Sequence, residues 1–198
     1  MSAAPSKVTV PVRPLAESDR EAAAGVIAAA FGDGGTAVVD LWADVLSRGH
    51  VRAELVALDD EQVVGHVGLS HAWLDTRPEL VDILVLSPLG VAPTHQGRGA
   101  GKALLAAAVK EAASLGAPLV ALEGDPGYYS RHGWHPASSY GIEPPSLRVP
   151  RPACQVVTLA GHKPWMTGRI VYRDVWWEHD SAGLRDPLLA QVEMNLPD

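Results

Sequence analysis

The spacing of hydrophobic and polar residues along the chain predicts alternating strands and helices. Alternating or continuous apolar runs predict strands at residues 8–13, 54–58, 63–73, 80–89, 118–122 and 155–159. Apolar residues at helical spacing predict helices at residues 18–31, 38–46 and 105–115. Ser18, with Glu21 three residues later, is the predicted N-cap of the first helix. Up to residue 122 the order is β-α-α-β-β-β-α-β, and the most continuous aliphatic run, at 80–89, is the predicted central strand.

Composition and charge narrow the classes of function. At 198 residues, 47% of them hydrophobic, one domain over residues 1–198 is expected. The net charge of −7 disfavours nucleic acid and anionic membranes as partners. The one cysteine, Cys154, is expected to be a buried, inert thiol and fits a cytoplasmic protein. Residues 168–177 predict an aromatic-rich closing segment, and residues 184–194 predict a short amphipathic helix.

A glycine-rich segment connects the central strand to the third helix. It consists of Gln96, Gly97, Arg98, Gly99, Ala100, Gly101 and Lys102. A turn of this kind aligns backbone N–H groups with the positive end of the helix dipole, which suits a phosphate or pyrophosphate. Arg98 and Lys102 are candidate phosphate contacts. The segment lacks the glycine and hydroxyl positions of a P-loop, and it lacks the third glycine of the dinucleotide-binding fingerprint.

These residues fit the pattern Q/R-x-x-G-x-G/A, and the segment resembles the coenzyme A pyrophosphate loop of the GNAT superfamily of N-acetyltransferases. A second stretch, residues 128–134, resembles the F-Y-x-x-x-G-F motif of that superfamily, with Trp134 in place of phenylalanine. The preceding G-D-P-x-Y-Y, with Asp125 as N-cap and Pro126 as first helical residue, resembles one small subgroup. The resemblance covers about residues 8–172 and leaves 173–198 as a C-terminal extension.

The resemblance implies an α/β (α+β) fold: a mixed, mainly antiparallel central sheet, splayed at its centre and flanked by helices. It also implies the groups that serve acetyl transfer. A backbone N–H of the segment from Leu89 to Val91, most of all that of Val91, would serve the thioester carbonyl. Tyr129 matches the tyrosine that protonates the leaving thiolate, although Tyr129 packing on the pantetheine, or Tyr128 facing it instead, are alternatives.

The general base is not fixed by the resemblance. Many relatives carry a carboxylate three or four residues before the Val91 position, where this chain has Pro88 and Ser87. Glu123, His66 and His71 remain as candidates, acting directly or through water. Because no other acid in the distal half of this strand replaces the missing carboxylate, we predict that no strong base acts and that kcat/KM for an alkylamine rises about tenfold per pH unit toward pH ~9. A plateau in the pH profile that one variant abolishes would instead identify a base.

The sequence therefore predicts an N-acetyltransferase that uses acetyl-CoA and a primary amine of a small molecule or protein as acceptor. The alternative is a non-catalytic acyl-CoA-binding sensor of the same fold. No metal is expected, because His132 and His135 have no evident third ligand and a structural role suits them better. A homodimer is left open. The region where relatives bind the acceptor has acidic residues that could attract a cation, or that simply lie exposed on a helix: Asp33, Asp40 and Asp44.

Overall fold

A computed structural model describes residues 10–183. The strands are β1 (Val12–Pro14), β2 (Val51–Asp59), β3 (Gln62–Thr76), β4 (Leu80–Val91), β5 (Leu119–Glu123), β6 (His135–Pro136), β7 (Ile142–Glu143), β8 (Cys154–Thr158) and β9 (Gly168–Val171). The helices are α1 (Arg20–Ala30), α2 (Gly35–Ser47), α3 (Ala100–Ser114), α4 (Pro126–Tyr129) and α5 (Asp174–Glu178). Within this part of the chain no helix has the length and apolar character needed to cross a membrane.

All the strands belong to one mixed sheet with the order β1-β2-β3-β4-β5-β8-β6, and β9 pairs with both β3 and β7. The pairs β4–β5 and β7–β9 are parallel, and the others are antiparallel. Up to β5, the predicted order of strands and helices is the observed one. The predicted fold class, a mainly antiparallel mixed sheet flanked by helices, is confirmed.

The sheet opens at its centre, between β4 and β5. These two strands pair at only two positions, Leu84 with Val120 and Val85 with Ala121. Beyond them β4 continues to Val91 while remaining paired with β3 on its other side. The distal half of β4 therefore has one edge that no strand of the described chain covers.

The strands beyond the opening lead back to β3. Hydrogen-bonded neighbours run from β3 through β4, β5 and β8 to β6, and a second series of pairs joins β7 to β9 and β9 to β3. Between β6 and β7 the chain makes only a short 3-10 turn, Ala137–Tyr140. This arrangement encloses one face of the central strands in an almost complete ring.

Two hydrophobic cores lie on opposite faces of the sheet. The first, under α1, α2 and α5 and inside the ring, includes Val85 and Ala121, and the second, under α3, includes Leu84 and Val120. Because side chains alternate between the faces of a strand, Glu123 at the end of β5 lies on the face of the first core. Its cross-strand partner Cys154 belongs to that core as well.

Several predicted boundaries were wrong for identifiable reasons. Ser18 does not cap the first helix, because a 3-10 turn, Glu17–Asp19, precedes α1. The Asp19 carboxylate organises this entry: it accepts a hydrogen bond from the Ala16 N–H at 2.7 Å and pairs with Arg13. The predicted closing segment at 168–177, for which no helix or strand was assigned, contains the strand β9 and the first residues of the short helix α5. The helix predicted at 184–194 lies outside the described residues.

A buried charged network joins α1 and α2 to the sheet. The Glu54 carboxylate on β2 accepts hydrogen bonds from Trp42 Nε1 at 2.8 Å and from Arg20 at 3.0 Å. His66 Nε2 lies 3.2 Å from the same carboxylate. Burial opposes ionisation of Glu54, but the hydrogen bonds from His66, Trp42 and Arg20 outweigh it and lower its pKa to about 2. The network therefore depends on an ionised carboxylate.

We predict that Glu54→Gln lowers the free energy of unfolding by about 3 kcal/mol, because Arg20 and His66 lose a buried ionised partner. Glu17→Gln is the matched control, since Glu17 also pairs with Arg20, at 2.7 Å, but its side chain is 85% exposed. That control should cost less than about 0.5 kcal/mol. Urea denaturation at neutral pH measures both values, and equal losses in the two variants would contradict the assignment.

Candidate active site

The glycine-rich segment folds as a turn that leads directly into α3. Gly97 and Gly99 have positive φ angles, 74° and 95°, and Gly99 is the N-cap of the helix. A side chain is disfavoured in this left-handed conformation, which explains glycine at both positions. Arg98 and Lys102 are exposed on either side of the helix start. The turn thus presents the free N–H groups of a fifteen-residue helix beside two cations.

Tyr128 lies against the same helix start. A Cβ atom on Gly101 would come within 2.7 Å of the Tyr128 hydroxyl oxygen, so only glycine leaves room for this contact. Ala100 is buried at the base of the turn. The first turn of α3 and α4 therefore lie side by side.

The end of β4 faces the opening in the sheet. The Ala92 N–H donates to the Val64 carbonyl on β3 at 2.9 Å. Because successive residues of an antiparallel strand point their N–H and C=O groups to opposite sides, those of Val91 face away from β3. Consistent with this, the Val91 carbonyl accepts a hydrogen bond from Gln96 Nε2 at 3.1 Å. Gln96 thereby ties the turn to the strand. Leu89 and Val91 pack against the second core.

Tyr129 belongs to the short helix α4, which begins as predicted. Asp125 is the N-cap and accepts from the Gly127 N–H at 2.7 Å, and Pro126 is the first helical residue. The Tyr129 ring lies on the backbone of Gly124, where a Cβ atom would be 2.2 Å from the ring. Tyr128 and Tyr129 meet edge to face with centroids 5.0 Å apart. Burial raises the pKa of both phenols, and that of Tyr129 the more, so each is a neutral O–H donor at neutral pH.

Glu123 is the last residue of β5, two residues beyond Ala121, whose pair with Val85 is the last between β4 and β5. It therefore lies beyond the point at which the two strands separate. Burial is the largest influence on Glu123 and raises its pKa to about 7, against the lowering effects of a Tyr172 hydrogen bond and the Gly183 N–H. Its Oε1 atom has no hydrogen-bond partner among the described residues.

The two histidines proposed as bases lie in different places. His66 is opposite Gly90, close to the end of β4, but it is fully buried and bonded to Glu54. His71 pairs with Leu84, seven residues before Val91, so about 23 Å of strand separates it from that N–H. Its Nε2 atom lies 2.9 Å from the Asp82 carboxylate. Glu123 Oε1 and His66 Nδ1 both lack a hydrogen-bond partner among the described residues, but the other nitrogen of His66 is already engaged by Glu54. Glu123 is therefore the preferred candidate.

The remaining polar candidates are packed against other side chains, buried, paired with another residue or exposed to solvent. The His132 ring packs against Tyr128 at 4.9 Å, and within residues 10–183 no three metal-ligating side chains converge. Cys154 is fully buried, which raises its pKa to about 12. Asp44 lies 2.8 Å from His179, whereas Asp33 and Asp40 are exposed.

Sequence reasoning missed Tyr172 and Arg148, both of which influence Glu123. Neither residue is part of a local motif. Their proximity to Glu123 arises from the return of the chain through β9 and from the loop that precedes β8. No signal in the sequence around either residue indicates this contact.

Comparison with known proteins agrees with this architecture. A relative in Escherichia coli (strain K12), "Uncharacterized N-acetyltransferase YjhQ", is 29% identical over 135 residues, which is 62% of this chain and 75% of the relative. The crystal structure of the E. coli GNAT family N-acetyltransferase YhbS in complex with CoA matches with a TM-score of 0.73 and 24% identity, over 89% of this chain and 96% of that one.

A GNAT family acetyltransferase from Brucella melitensis in complex with acetyl-CoA matches with a TM-score of 0.67 and 22% identity, over 84% of this chain and 97% of that one. At these identities the two crystal structures show a shared fold. The family model described as "Acetyltransferase (GNAT) domain" matches residues 11–137, well over half of the chain. That span contains the turn, the end of β4 and both tyrosines, and the protein accordingly belongs to the GNAT family of acetyltransferases.

Proposed function

We propose that this protein transfers the acetyl group of acetyl-CoA to a primary amine of a small molecule or a protein. The observation that carries the proposal is the opening between β4 and β5. The turn at the start of α3 and the outward-facing N–H of Val91 are at and after the end of β4, whereas Glu123 and Tyr129 are at and after the end of β5, so all four adjoin the two strands that separate. These are the groups that amine acetylation requires: donors for the coenzyme pyrophosphate and for the oxyanion of the thioester carbonyl, an acid and a base.

The turn and the first residues of α3 are the proposed coenzyme A site. Gln96, Gly97, Arg98, Gly99, Ala100, Gly101 and Lys102 would supply backbone N–H groups and two cations for the pyrophosphate. Leu89, Val91, Tyr128 and Tyr129 would border the pantetheine and the thioester. The structures of YhbS with CoA and of the Brucella protein with acetyl-CoA support a coenzyme site in this fold.

The chemistry follows from the positions of the groups. The neutral amine attacks the thioester carbonyl, whose oxygen gains negative charge and accepts a hydrogen bond from the Val91 N–H. The C–S bond then breaks, and the Tyr129 O–H gives its proton to the leaving thiolate. Glu123 takes the proton that the amine loses, directly or through water, so that the charges and protons balance.

The acid and the base lie on opposite faces of the sheet. Tyr129 packs against the second core, under α3, whereas Glu123 lies on the face of the first core. We propose that coenzyme A enters from the α3 face and the amine from the face of α1 and α2. With a pKa of about 7, Glu123 is partly ionised at neutral pH and matches the range that suits a general base. A plateau in the pH profile is therefore expected for this chain rather than a rise to pH ~9.

Two finer assignments belong to the same proposal. The G-D-P-x-Y-Y sequence that ends in the two tyrosines supports membership of a small subgroup of the family, and the single cysteine supports a cytoplasmic location. A sensor that binds acyl-CoA without catalysis is the second candidate function. It is favoured by the absence of a carboxylate at Ser87 and Pro88, and disfavoured by Tyr129 and Glu123 at the opening.

We predict that Gly99→Val weakens acetyl-CoA binding at least ~10-fold, because a branched side chain disturbs the backbone that would meet the pyrophosphate. Gly116→Val is the matched control: Gly116 follows the other end of α3, has a positive φ of 77°, and like Gly99 has no atom within 4 Å of an added Cβ. Calorimetric titration of both folded variants gives the affinities. Unchanged affinity in Gly99→Val, or an equal loss in the control, would refute the assignment.

We predict that the wild-type protein releases free coenzyme A with at least one member of a panel of primary amines. In the same assay Tyr129→Phe should lower kcat by about 10²-fold and leave acetyl-CoA affinity nearly unchanged, because its proton is needed only in the transition state. Tyr128→Phe is the control and should retain most of the turnover. Tight acetyl-CoA binding without release for any amine would favour the sensor, and a silent Tyr129→Phe beside a damaging Tyr128→Phe would exchange the two roles.

We predict that Glu123→Gln stabilises the fold relative to wild type as pH rises. The folded-state pKa of about 7 exceeds the ordinary value of 4.5, so the protonated carboxyl favours folding below pH 4.5 and this contribution is lost as pH rises through 7. The difference corresponds to up to about 3 kcal/mol. Melting temperatures at pH 5 and 8 test it, with the exposed Glu21→Gln as control. A gap between Glu123→Gln and wild type that does not widen with pH would contradict the buried position of this carboxyl.

A further inference from the structure

The packing of the fold does not explain the buried side chain of Gln155. This residue lies on β8, opposite Leu122 and Pro136, and is 0% exposed. Its Oε1 atom has no hydrogen-bond partner among the described residues. An unpaired polar atom in the interior costs about 1–3 kcal/mol, and an apolar side chain of similar shape would avoid that cost. Stability alone therefore does not account for glutamine at this position.

The nitrogen of the same amide holds the residue that follows β5. Gln155 Nε2 donates to the Gly124 carbonyl in a long hydrogen bond of 3.5 Å, and the Gly124 N–H donates to the Ala153 carbonyl at 2.9 Å. The ladder between β5 and β8 ends one residue earlier, where Glu123 is opposite Cys154. Beyond that pair, a side chain of β8 rather than its backbone provides the donor for the Gly124 carbonyl.

Gly124 lies directly against the Tyr129 ring. A Cβ atom on Gly124 would be 2.2 Å from that ring, so the ring contacts the backbone itself. Gly124 also precedes Asp125, the N-cap of α4, so the orientation of its peptide group influences the direction in which α4 leaves the strand. Gln155 is on the same face as Tyr129, because its cross-strand partner Leu122 belongs to the second core. A side chain that holds Gly124 thus also restrains the phenol of Tyr129.

We infer that Gln155 is a positioning residue for the proposed general acid: through the Gly124 carbonyl it fixes the backbone against which the Tyr129 ring packs, and so directs the hydroxyl toward the leaving thiolate. This inference rests on the proposed function, since it presumes that Tyr129 protonates that thiolate. Gln155 itself touches neither substrate nor coenzyme in this assignment. A displaced phenol donates its proton less effectively, because the transfer requires hydrogen-bond distance in the transition state.

The test compares Gln155→Met with wild type in the coenzyme A release assay, with the most active amine of the panel. Methionine keeps an unbranched shape of similar length but cannot donate to Gly124. We expect kcat to fall about tenfold while the KM for acetyl-CoA stays nearly unchanged. The melting temperature should also stay nearly unchanged, because removal of the unpaired Oε1 atom offsets the lost hydrogen bond. An unchanged kcat overturns the inference, and Gln155→Leu replaces the first variant if that variant does not fold.

Ser70→Ala is the matched control. Ser70 is also 0% exposed, and its hydroxyl also lacks a partner among the described residues, but it lies on β3 between Val51 and Val85. Its kcat should remain within about twofold of the wild-type value. An equal fall in kcat in both variants would show that any change of a buried polar residue disturbs catalysis, and it would refute the specific role of Gln155.

The variant Tyr129→Phe, alone and combined with Gln155→Met, separates the failure of this inference from that of the proposed acid. If Tyr129→Phe is silent, Tyr129 is not the acid, and the inference fails together with that assignment. If Tyr129→Phe lowers kcat, the addition of Gln155→Met should cause less than about twofold further loss, because residues that act through one proton transfer are not additive. A further loss of about tenfold in the double variant would refute the role of Gln155 alone.

A 19F NMR spectrum of the protein labelled with 3-fluorotyrosine gives a readout independent of turnover. The chain has four tyrosines, so each signal can be assigned from the corresponding Tyr→Phe variant. In Gln155→Met the Tyr129 signal should shift, whereas the signals of Tyr140 and Tyr172, which pack in or against the first core, should stay in place. An unmoved Tyr129 signal, or an equal movement of all the signals, overturns the inference.

Discussion

The separation of β4 from β5 is the constraint on which the site depends. Two parallel pairs, ending at Val85 and Ala121, hold the strands together, and beyond them each strand remains paired only on its outer side. An unpaired strand edge in the interior of a sheet is costly unless its N–H and C=O groups find other partners. Gln96 satisfies the carbonyl of Val91, and a bound thioester would satisfy the N–H. The same opening thus leaves backbone groups of β4 without strand partners and makes room for the substrate.

The ring formed by β3, β4, β5, β8, β6, β7 and β9 explains how a carboxylate at the end of β5 can have a raised pKa. An acid at the end of a strand is usually solvated, but here β9 and the segment around Arg148 enclose the first core beside Glu123. Enclosure removes water from the carboxyl and favours its neutral form. The hydrogen bond from Tyr172 limits that shift, so the balance places the pKa near 7 rather than higher. A base of this kind weakens the fold above neutral pH while making the carboxyl effective there.

Much of the fold could be predicted because its signals are local. The aliphatic run of β4, the glycines at 97 and 99, and the Asp125–Pro126 helix start each follow from a few adjacent residues. The start of α1 could not be predicted in this way, since the Asp19 carboxylate binds the Ala16 N–H of the preceding 3-10 turn and is held by Arg13. The pairing of β9 with residues 73–76 of β3 joins segments almost a hundred residues apart. The contact between Tyr172 and Glu123 depends on that pairing and was equally inaccessible from local periodicity.

The choice between His66, His71 and Glu123 illustrates what side-chain contacts add to a list of candidate bases. A strand histidine and a strand glutamate look equivalent in sequence, but His66 is already a partner of Glu54 in a network that fixes α1 to the sheet. Recruiting it as a base would require that network to change charge in each cycle. Glu123 has an unpartnered oxygen, lies beyond the last pair between β4 and β5, and is on the face that Tyr129 does not occupy. Glu123 on β5 can therefore take the role of the carboxylate that β4 lacks, from the other side of the same opening.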